Sequence, residues 1–164
     1  MGFTCSVCGE YHAEELRDIR MGLPGAIFAL SDEERAERTW LADDFAVLDD
    51  ERFFVRGLLE LPVRDDGGRF GYGTWVEVPI RTFKKLMKRW DDPQQFEPAW
   101  CLLANDLPPY DDTVGLHATL QPVAAARLPL VELDDAEHRL VDEQRDGITA
   151  ERSRELAAVV AHAM

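Results

Sequence analysis

The residues best suited to chemistry lie near the amino terminus, where two cysteines and a histidine follow one another closely. Residues 5–9 read CSVCG, a tight turn in which the thiolates of Cys5 and Cys8 face one ion. His12 follows closely enough to add an imidazole. Zinc favours thiolate and imidazole ligands in tetrahedral geometry. The segment therefore predicts a zinc site that includes Cys5, Cys8 and His12.

Redox chemistry and inert thiols are the alternatives for this pair of cysteines. A redox CxxC of the thioredoxin type lies between a strand and a helix of a βαβ unit, and we expect no core strand before Cys5. The chain has three cysteines, which do not form an even disulfide framework. Metal binding is therefore favoured over both alternatives.

A tetrahedral site with three local ligands needs a fourth. The candidates are Cys101, His117, His138, His162, a carboxylate such as Glu10, and water. Spacing favours His138, because carboxylates within residues 134–137 could orient its ring. A protein ligand would close the site and make it structural. A water molecule would leave it open for catalysis, with Glu10 as a nearby general base.

The charge balance limits the partners that the protein can attract. The 164 residues include 18 Lys and Arg against 32 Asp and Glu, for a net charge of −14. This field opposes nucleic acid and anionic membrane surfaces, so the sequence predicts neither as a partner and permits a basic protein partner. The amino terminus lacks the pattern of a secretory signal, and we expect a cytoplasmic protein.

The order of elements predicts an α+β fold in a single domain, 1–164, with a central antiparallel sheet, flanking helices and a zinc-knuckle module at 1–12. The capping box at Ser31 opens a short helix. Within 13–30 we expect a short helical stretch followed by a break from Gly22 to Gly25. Strands are predicted at 44–48, 53–63, 70–78, 100–107, 113–124 and 128–133. Helices are predicted at 80–90, 134–144 and 149–162.

A pocket built around an arginine is a further possibility, and it would indicate a small-ligand sensor. Its candidate residues are Arg56, Trp75, Trp100, Tyr110 and Gln144. Arg56 lies mid-strand among apolar residues, and a buried arginine needs a carboxylate. Glu60 or Glu77 as that partner would make the pair structural. The sequence contains no GxSxG, P-loop or HExxH motif, so it does not indicate an enzyme.

Five segments together resemble a bacterial family, domain of unknown function 2199. They are CSVCGEYH, DDERFFVRGLLELPV, GYGTWVEV, LPPYDDTVGLH and EHRLVDEQRDGIT, in this order and across almost the whole chain. Family members similarly begin with CxxCG and a histidine, and carry a His-Pro-Leu segment that corresponds here to residues 138–140. The resemblance strengthens His138 as the fourth ligand. Phe45 stands where we expect many relatives to carry a cysteine, so any role of that cysteine is absent here.

The leading hypothesis is a non-enzymatic binding protein stabilised by one structural Zn²⁺. Its ligands would be Cys5, Cys8, His12 and His138, which would tie the amino terminus to the last third of the chain. Acidity would favour a basic protein as the partner. The alternatives are a small zinc-dependent hydrolase or other metalloenzyme with an open zinc position, and the sensor described above. The oligomeric state does not follow from the sequence.

Overall fold

The computed structural model describes residues 3–4, 11–12, 17–88, 90, 97–123 and 128–163. Its strands are β1 (Phe3–Thr4), β2 (Tyr11–His12), β3 (Asp18–Arg20), β4 (Thr39–Leu41), β5 (Phe45–Leu48), β6 (Arg52–Pro62), β7 (Arg69–Val78), β8 (Ala99–Leu103), β9 (His117–Gln121) and β10 (Leu130–Leu133). Its helices are α1 (Gly25–Phe28), α2 (Asp32–Arg38), α3 (Ile80–Lys88), α4 (Arg139–Asp146) and α5 (Ala150–Ala163). None of the helices in these ranges is long and apolar enough to cross a membrane.

Five of the described strands, β6 to β10, close into a barrel. The long hairpin β6–β7 pairs from Phe53↔Val78 to Pro62↔Arg69, and β7, β8, β9 and β10 follow as antiparallel neighbours. The barrel closes where β10 meets β6 in parallel at Leu130↔Leu58. Because directions alternate along a chain of antiparallel strands, the first and fifth strands point the same way. The closing pair is therefore parallel.

The main core fills the inside of this barrel. Alternate residues of β6 and β7 point inward, among them the fully buried Leu59, Leu61, Phe70 and Tyr72. Helix α3 adds Phe83 and Leu86 to the same core. Phe83 packs edge-on against Phe45 of β5, with ring centroids 5.5 Å apart. α3 therefore packs against β5 as well as against the hairpin.

A second, smaller core lies on the outer face of the hairpin. Phe54 and Trp75 point outward there and pack with Ile27 of α1 and with Ala46 and Leu48 of β5. Strands β5 and β4 extend the sheet beyond β6, so that β4 is the end strand of the described sheet. β3 lies parallel to β7 along the part of its edge that β8 does not cover.

The α4–α5 corner docks on the turn of the long hairpin. Ile148 donates its amide to the carbonyl of Pro62 at 2.7 Å, and Arg64 returns a bond to the carbonyl of Ile148 at 2.8 Å. Gly147 has φ +83°, in the left-handed region that favours glycine. The carboxylate of Asp65 accepts the amide of Ala150 at the start of α5. The corner therefore continues the pairing of the hairpin.

The structure confirms the mixed helix and strand content and corrects several details. The central sheet is a closed barrel with a parallel seam, whereas we expected an antiparallel sheet. The predicted helical stretch within 13–30 is wrong for residues 18–20, which form β3 because β7 offers a free edge there. The helix predicted from residue 134 begins only at Arg139, because Asp134 still bonds to β9. The strand predicted at 100–107 ends at Leu103.

Candidate functional site

Most of the predicted zinc module lies outside the described residues, including Cys5 and Cys8. His12 belongs to β2, which pairs antiparallel with β1 through Phe3↔His12 and Thr4↔Tyr11. This pairing sets Thr4, which precedes Cys5, beside Tyr11, which precedes His12. The zinc site itself stays a prediction.

His138 already has partners for both ring nitrogens. As the N-cap of α4, its Nδ1 accepts the amide of Leu140 at 3.0 Å. Nε2 therefore carries the proton and donates to the carbonyl of Asp111 at 2.6 Å. A metal at either nitrogen would displace one of these bonds. Within the described part of the chain, no three His, Cys, Asp or Glu side chains gather into a metal-sized group.

The other candidates for the fourth ligand have different surroundings. Cys101 lies inside the barrel as a free thiol, and burial raises its pKa to about 12. A thiol with so high a pKa binds metal poorly at neutral pH. His117 is exposed, and its Nδ1 accepts the indole N–H of Trp100 at 3.1 Å. His162 lies in α5, but its side chain is outside the description.

Arg56 is a structural clamp on the outer face of the hairpin. Its side chain is 4% exposed and stacks over the ring of Trp75, the residue directly opposite in β7, at 4.5 Å. The guanidinium donates to the carbonyls of Met21 at 2.7 Å and Asp43 at 3.2 Å. Burial, and then the charge of Arg20, lower its pKa. Arg56 thereby holds two connecting segments on the barrel.

The carboxylates expected to pair with Arg56 bind other arginines. Glu60 accepts from Arg69 at 2.7 Å, and Glu77 accepts from Arg52 at 2.8 Å. Glu60 lies four residues farther along the same strand. The backbones of the two residues are therefore roughly 13 Å apart, which is too far for direct contact. The carboxylate nearest to Arg56 is Asp44 of the β4–β5 turn, at 3.6 Å. The prediction of Glu60 or Glu77 as its partner is therefore wrong.

The structure does not gather the five residues of the proposed sensor pocket in one place. Arg56 and Trp75 contact each other on the outer face of the hairpin. Trp100 lies on the surface at 48% exposure beside His117. Tyr110 and Gln144 belong to two other, separate hydrogen-bond networks.

Gln144 completes the closure of the barrel. β10 and β6 pair only at Leu130↔Leu58, where Leu58 also donates to the carbonyl of Pro129 at 2.9 Å. Farther along, the amide of Gln144 accepts from the backbone of Leu133 at 2.7 Å and donates to the carbonyl of Val131 at 2.8 Å. A groove of about 870 Å³ follows this seam and is lined by charges of both signs.

A partly buried ion-pair network joins both carboxy-terminal helices to the loop before β9. The guanidinium of Arg152 makes two 3.0 Å bonds to the carboxylate of Glu143, which also accepts the hydroxyl of Tyr110 at 2.8 Å. Burial alone would raise the pKa of Glu143, but the bonds from Arg152 and Tyr110 lower it. Sequence reasoning named Tyr110 alone. The helical spacing of Arg139 and Glu143, whose side chains pair at 3.2 Å, is a signal for this network.

The most concentrated charge in the described chain lies on α2, β4, the β4–β5 turn and the β5–β6 turn, here called the acidic edge. Residues 32–51 carry nine carboxylates against two arginines, a net charge of −7. Both arginines form salt bridges within this region, Arg35 with Asp32 at 3.3 Å and Arg38 with Asp49 at 2.7 Å. α2 has the predicted capping box at Ser31 but buries none of its residues. This helix therefore adds surface rather than core.

Three large apolar side chains lie on or beside the acidic edge. Trp40 and Leu41 of β4 are 48% and 41% exposed, and Phe28 at the end of α1 is 73% exposed. Trp40 lies opposite Val47, on the sheet face that carries α3. Leu41 lies opposite Ala46, on the face that carries α1. An end strand with exposed apolar groups on both faces is a common docking feature.

The opposite charge is concentrated on α3. Arg81, Lys84, Lys85 and Lys88 are exposed on this helix and form what we call the basic ridge. The three lysines of the ridge are the only lysines of the chain. In the described structure, none of the four basic groups has a salt bridge. Ile80 and Met87, at 48% and 44% exposure, form an apolar stripe along one flank of the ridge.

No curated protein and no solved structure is significantly similar to the chain. The profile of one family, described as an uncharacterized protein conserved in bacteria (DUF2199), matches residues 4–148. This match covers the barrel, the acidic edge, the basic ridge and α4. The chain therefore belongs to the DUF2199 family of bacterial proteins.

Proposed function

We propose that this is a non-enzymatic binding protein that docks a basic protein partner on its acidic edge and is stabilised by a structural zinc. The observation that carries the docking role is the exposure of Trp40 and Leu41 on the end strand, within a surface of net charge −7. Apolar groups supply most of the affinity of an interface, and surrounding charge supplies steering and selectivity.

The interior of the barrel supports binding over catalysis. It is filled by fully buried side chains such as Leu59, Phe70 and Leu120. The buried Arg56 is held by backbone carbonyls, and the partly buried Glu143 is held by Arg152. Such groups position segments of the chain rather than a substrate.

The partner is identified by charge. A surface with a net charge of −7 attracts cationic side chains and repels phosphates, so it disfavours nucleic acid and anionic membranes as partners. Exposed indole and leucine side chains add apolar area beside the carboxylates. A protein surface that presents Lys and Arg together with aliphatic groups fits both features.

Titration with a synthetic peptide that alternates lysine with valine tests the docking role. We expect the wild type to bind it, with affinity that falls as salt screens the charges, and not to bind the matching glutamate–valine peptide. Reversal of three exposed carboxylates of the edge, Glu33→Lys, Glu37→Lys and Glu51→Lys, should weaken binding by at least tenfold. The matched control reverses Asp106, Glu132 and Glu137, which lie elsewhere. Equal losses in both variants would contradict a local docking edge.

The pairing of β1 with β2 supports the zinc proposal, because a hairpin that carries CxxC is a common zinc-binding turn. Zinc binding contributes folding free energy directly. We expect one bound zinc per chain, and loss of both zinc and thermal stability in Cys8→Ala. Cys101→Ala, which removes a buried thiol, should keep the metal. A full zinc content in Cys8→Ala would overturn the assignment.

The fourth ligand can be tested separately, because His138 also caps α4. Asparagine is a good N-cap but a poor zinc ligand. If His138 binds zinc, His138→Asn should lose metal affinity while α4 stays capped. If the metal content of His138→Asn equals that of the wild type, the fourth ligand is another group.

A further inference from the structure

The basic ridge is an isolated cationic surface on a strongly acidic protein. Successive residues of a helix are 100° apart, so Arg81, Lys84, Lys85 and Lys88 share one face, opposite the buried Phe83. Most other arginines of the described structure are paired with carboxylates, whereas these four groups have no such partner. Their charge is therefore available to a partner in solution.

Part of the acidic edge lies on the side of the sheet that carries the ridge. Trp40 pairs across β4 and β5 with Val47. Val47 shares its face with Phe45, whose ring contacts Phe83 of α3. The β5–β6 turn lies at the end of the hairpin where β7 leads into α3, because Phe53 pairs with Val78. Carboxylates of this turn are thus presented near the basic ridge, whereas α2 is bonded through Arg35 to carbonyls at the end of α1. Each region also has exposed apolar groups.

A surface with these two neighbouring halves is complementary to itself. When two copies are related by a two-fold axis, each surface patch of one copy meets the patch that it needs on the other. The ridge of one copy would face the acidic edge of its partner, and the same contact would form a second time. Ile80 and Met87 would then add apolar area beside Trp40.

Other occupants of the ridge fit less well. A polyanion such as nucleic acid would gain from the four cations but not from Ile80 and Met87, and the net charge of −14 opposes it. An anionic membrane meets the same repulsion from the rest of the surface. Salt screens the overall charge beyond a Debye length of about 8 Å under physiological conditions, so close contacts between patches dominate.

We infer that two copies of this chain associate through the basic ridge of α3 and the acidic edge, as a two-fold symmetric dimer. This inference rests on the proposed docking role of the acidic edge and names one partner for it, the ridge of a second copy. In the dimer, Lys84, Lys85 and Lys88 contact carboxylates of α2 and of the β5–β6 turn.

Sedimentation equilibrium of the full chain tests the inference. The wild type should have a mass near twice 18.6 kDa and should dissociate as salt is raised. The ridge variant, Lys84→Glu, Lys85→Glu and Lys88→Glu, should be monomeric. The edge variant, Glu33→Lys, Glu37→Lys and Glu51→Lys, should also be monomeric. Circular dichroism and thermal melting should show that both variants are folded.

Mixing the two variants gives the decisive result. The ridge variant carries negative charge in both regions, and the edge variant carries positive charge on the ridge and reduced negative charge on the edge. In a pair of ridge variants both contacts join like charges, and in a pair of edge variants both attractive contacts are weakened. A mixed pair has one contact of wild-type charge, between the ridge of the edge variant and the edge of the ridge variant, and one contact between two weakly negative regions, so its total attraction exceeds that of a pair of either variant alone. We expect a mixed dimer to form at concentrations at which neither variant dimerises alone.

Three results of the sedimentation measurements would overturn the inference. They are a monomeric wild type, a dimer that survives reversal of the ridge, and a mixture that stays monomeric. Because the lysine–valine peptide tests the edge without a second copy, the two proposals can fail separately. Peptide binding by a monomeric wild type would remove the dimer and leave the docking role. Failure of both would remove the docking role itself. Binding of an RNA or anionic vesicles by the ridge in a monomeric protein would also contradict the inference.

Discussion

The closure of the barrel depends on the absence of a side chain at residue 57. Gly57 of β6 is buried beside the seam, next to Leu58, the residue that pairs with β10. A Cβ atom at residue 57 would lie 2.6 Å from Cγ2 of Val131 and 3.2 Å from Cδ2 of Leu120. The first distance is well inside van der Waals contact. Gly57→Ala therefore has to displace the side chain of Val131 or the part of β10 that carries it.

The size of this effect follows from two opposing terms. Overpacking of a core costs about 1–3 kcal/mol. Alanine recovers up to about 1 kcal/mol, because glycine loses more backbone entropy on folding. The net loss in the free energy of unfolding should be about 1–2 kcal/mol. For a domain of this size, such a loss lowers the melting temperature by about 2–8 °C.

Gly73 supplies a matched control in the neighbouring strand. A Cβ atom there would have its nearest neighbours at 3.5 Å, which is ordinary contact. Gly73→Ala should therefore leave the free energy of unfolding unchanged or raise it by up to about 1 kcal/mol. Urea unfolding of both variants, monitored by circular dichroism, measures the difference.

A double-mutant cycle with Val131 identifies the clashing atom. Val131→Ala alone removes buried methyl groups and should cost about 2 kcal/mol. It also removes Cγ2, so adding it to Gly57→Ala should cost less than the sum of the two single changes, by at least about 0.5 kcal/mol. Equal stability of Gly57→Ala and Gly73→Ala, or full additivity in the cycle, would refute the seam as described.

Three further predictions concern side chains that are wholly or partly buried. Gln144→Ala should lower stability by about 1–3 kcal/mol in urea unfolding, because it leaves backbone groups at the seam without partners, and a neutral result would contradict its closing role. Since the pKa of Glu143 is lowered on folding, the stability that it provides is present above about pH 4.5 and is lost as the pH falls through the folded pKa. Glu143→Gln should therefore melt at a lower temperature than the wild type at neutral pH, and its melting temperature should fall less as the pH is lowered. Equal dependence of the two melting temperatures on pH would contradict a stabilising role of the network. The buried thiol of Cys101, with its pKa raised to about 12, should react with a thiol reagent at pH 8 only after unfolding, so rapid labelling of the Cys5→Ser and Cys8→Ser variant would contradict its burial.

Local elements were predictable because their signals are local. The hairpin expected at 53–63 and 70–78 is found at Arg52–Pro62 and Arg69–Val78. The capping box at Ser31 and the helix at Ile80–Lys88 follow from short-range patterns in the same way. Each depends on residues within a few positions of one another.

The closure of the barrel was not predictable, because it depends on pairing between residues far apart in sequence. Nothing near Leu58 marks Leu130 as its partner, and Gln144 acts on the seam from a helix. The partner of Arg56 was missed for a similar reason. Its carbonyl acceptors and Asp44 lie in segments whose placement depends on the whole fold.

The candidate surface was partly readable from the sequence. The excess of acidic residues and the short basic stretch of α3 are visible in the sequence. The exposure of individual side chains is not visible in the sequence. Trp40 and Leu41 have the residue types of a core, and only the strand order shows that they belong to an end strand. The net charge of −7 indicates a docking surface only in combination with these exposed side chains.

The most direct test of the docking role is a map of amide chemical shifts in isotope-labelled protein during titration with the lysine–valine peptide. Recording it on the ridge variant removes the competing contact of a second copy. We expect the changes to concentrate on α2, on β4 around Trp40 and Leu41, and on the β5–β6 turn. Changes that concentrate instead along the Gln144 seam, or no changes at all, would contradict it.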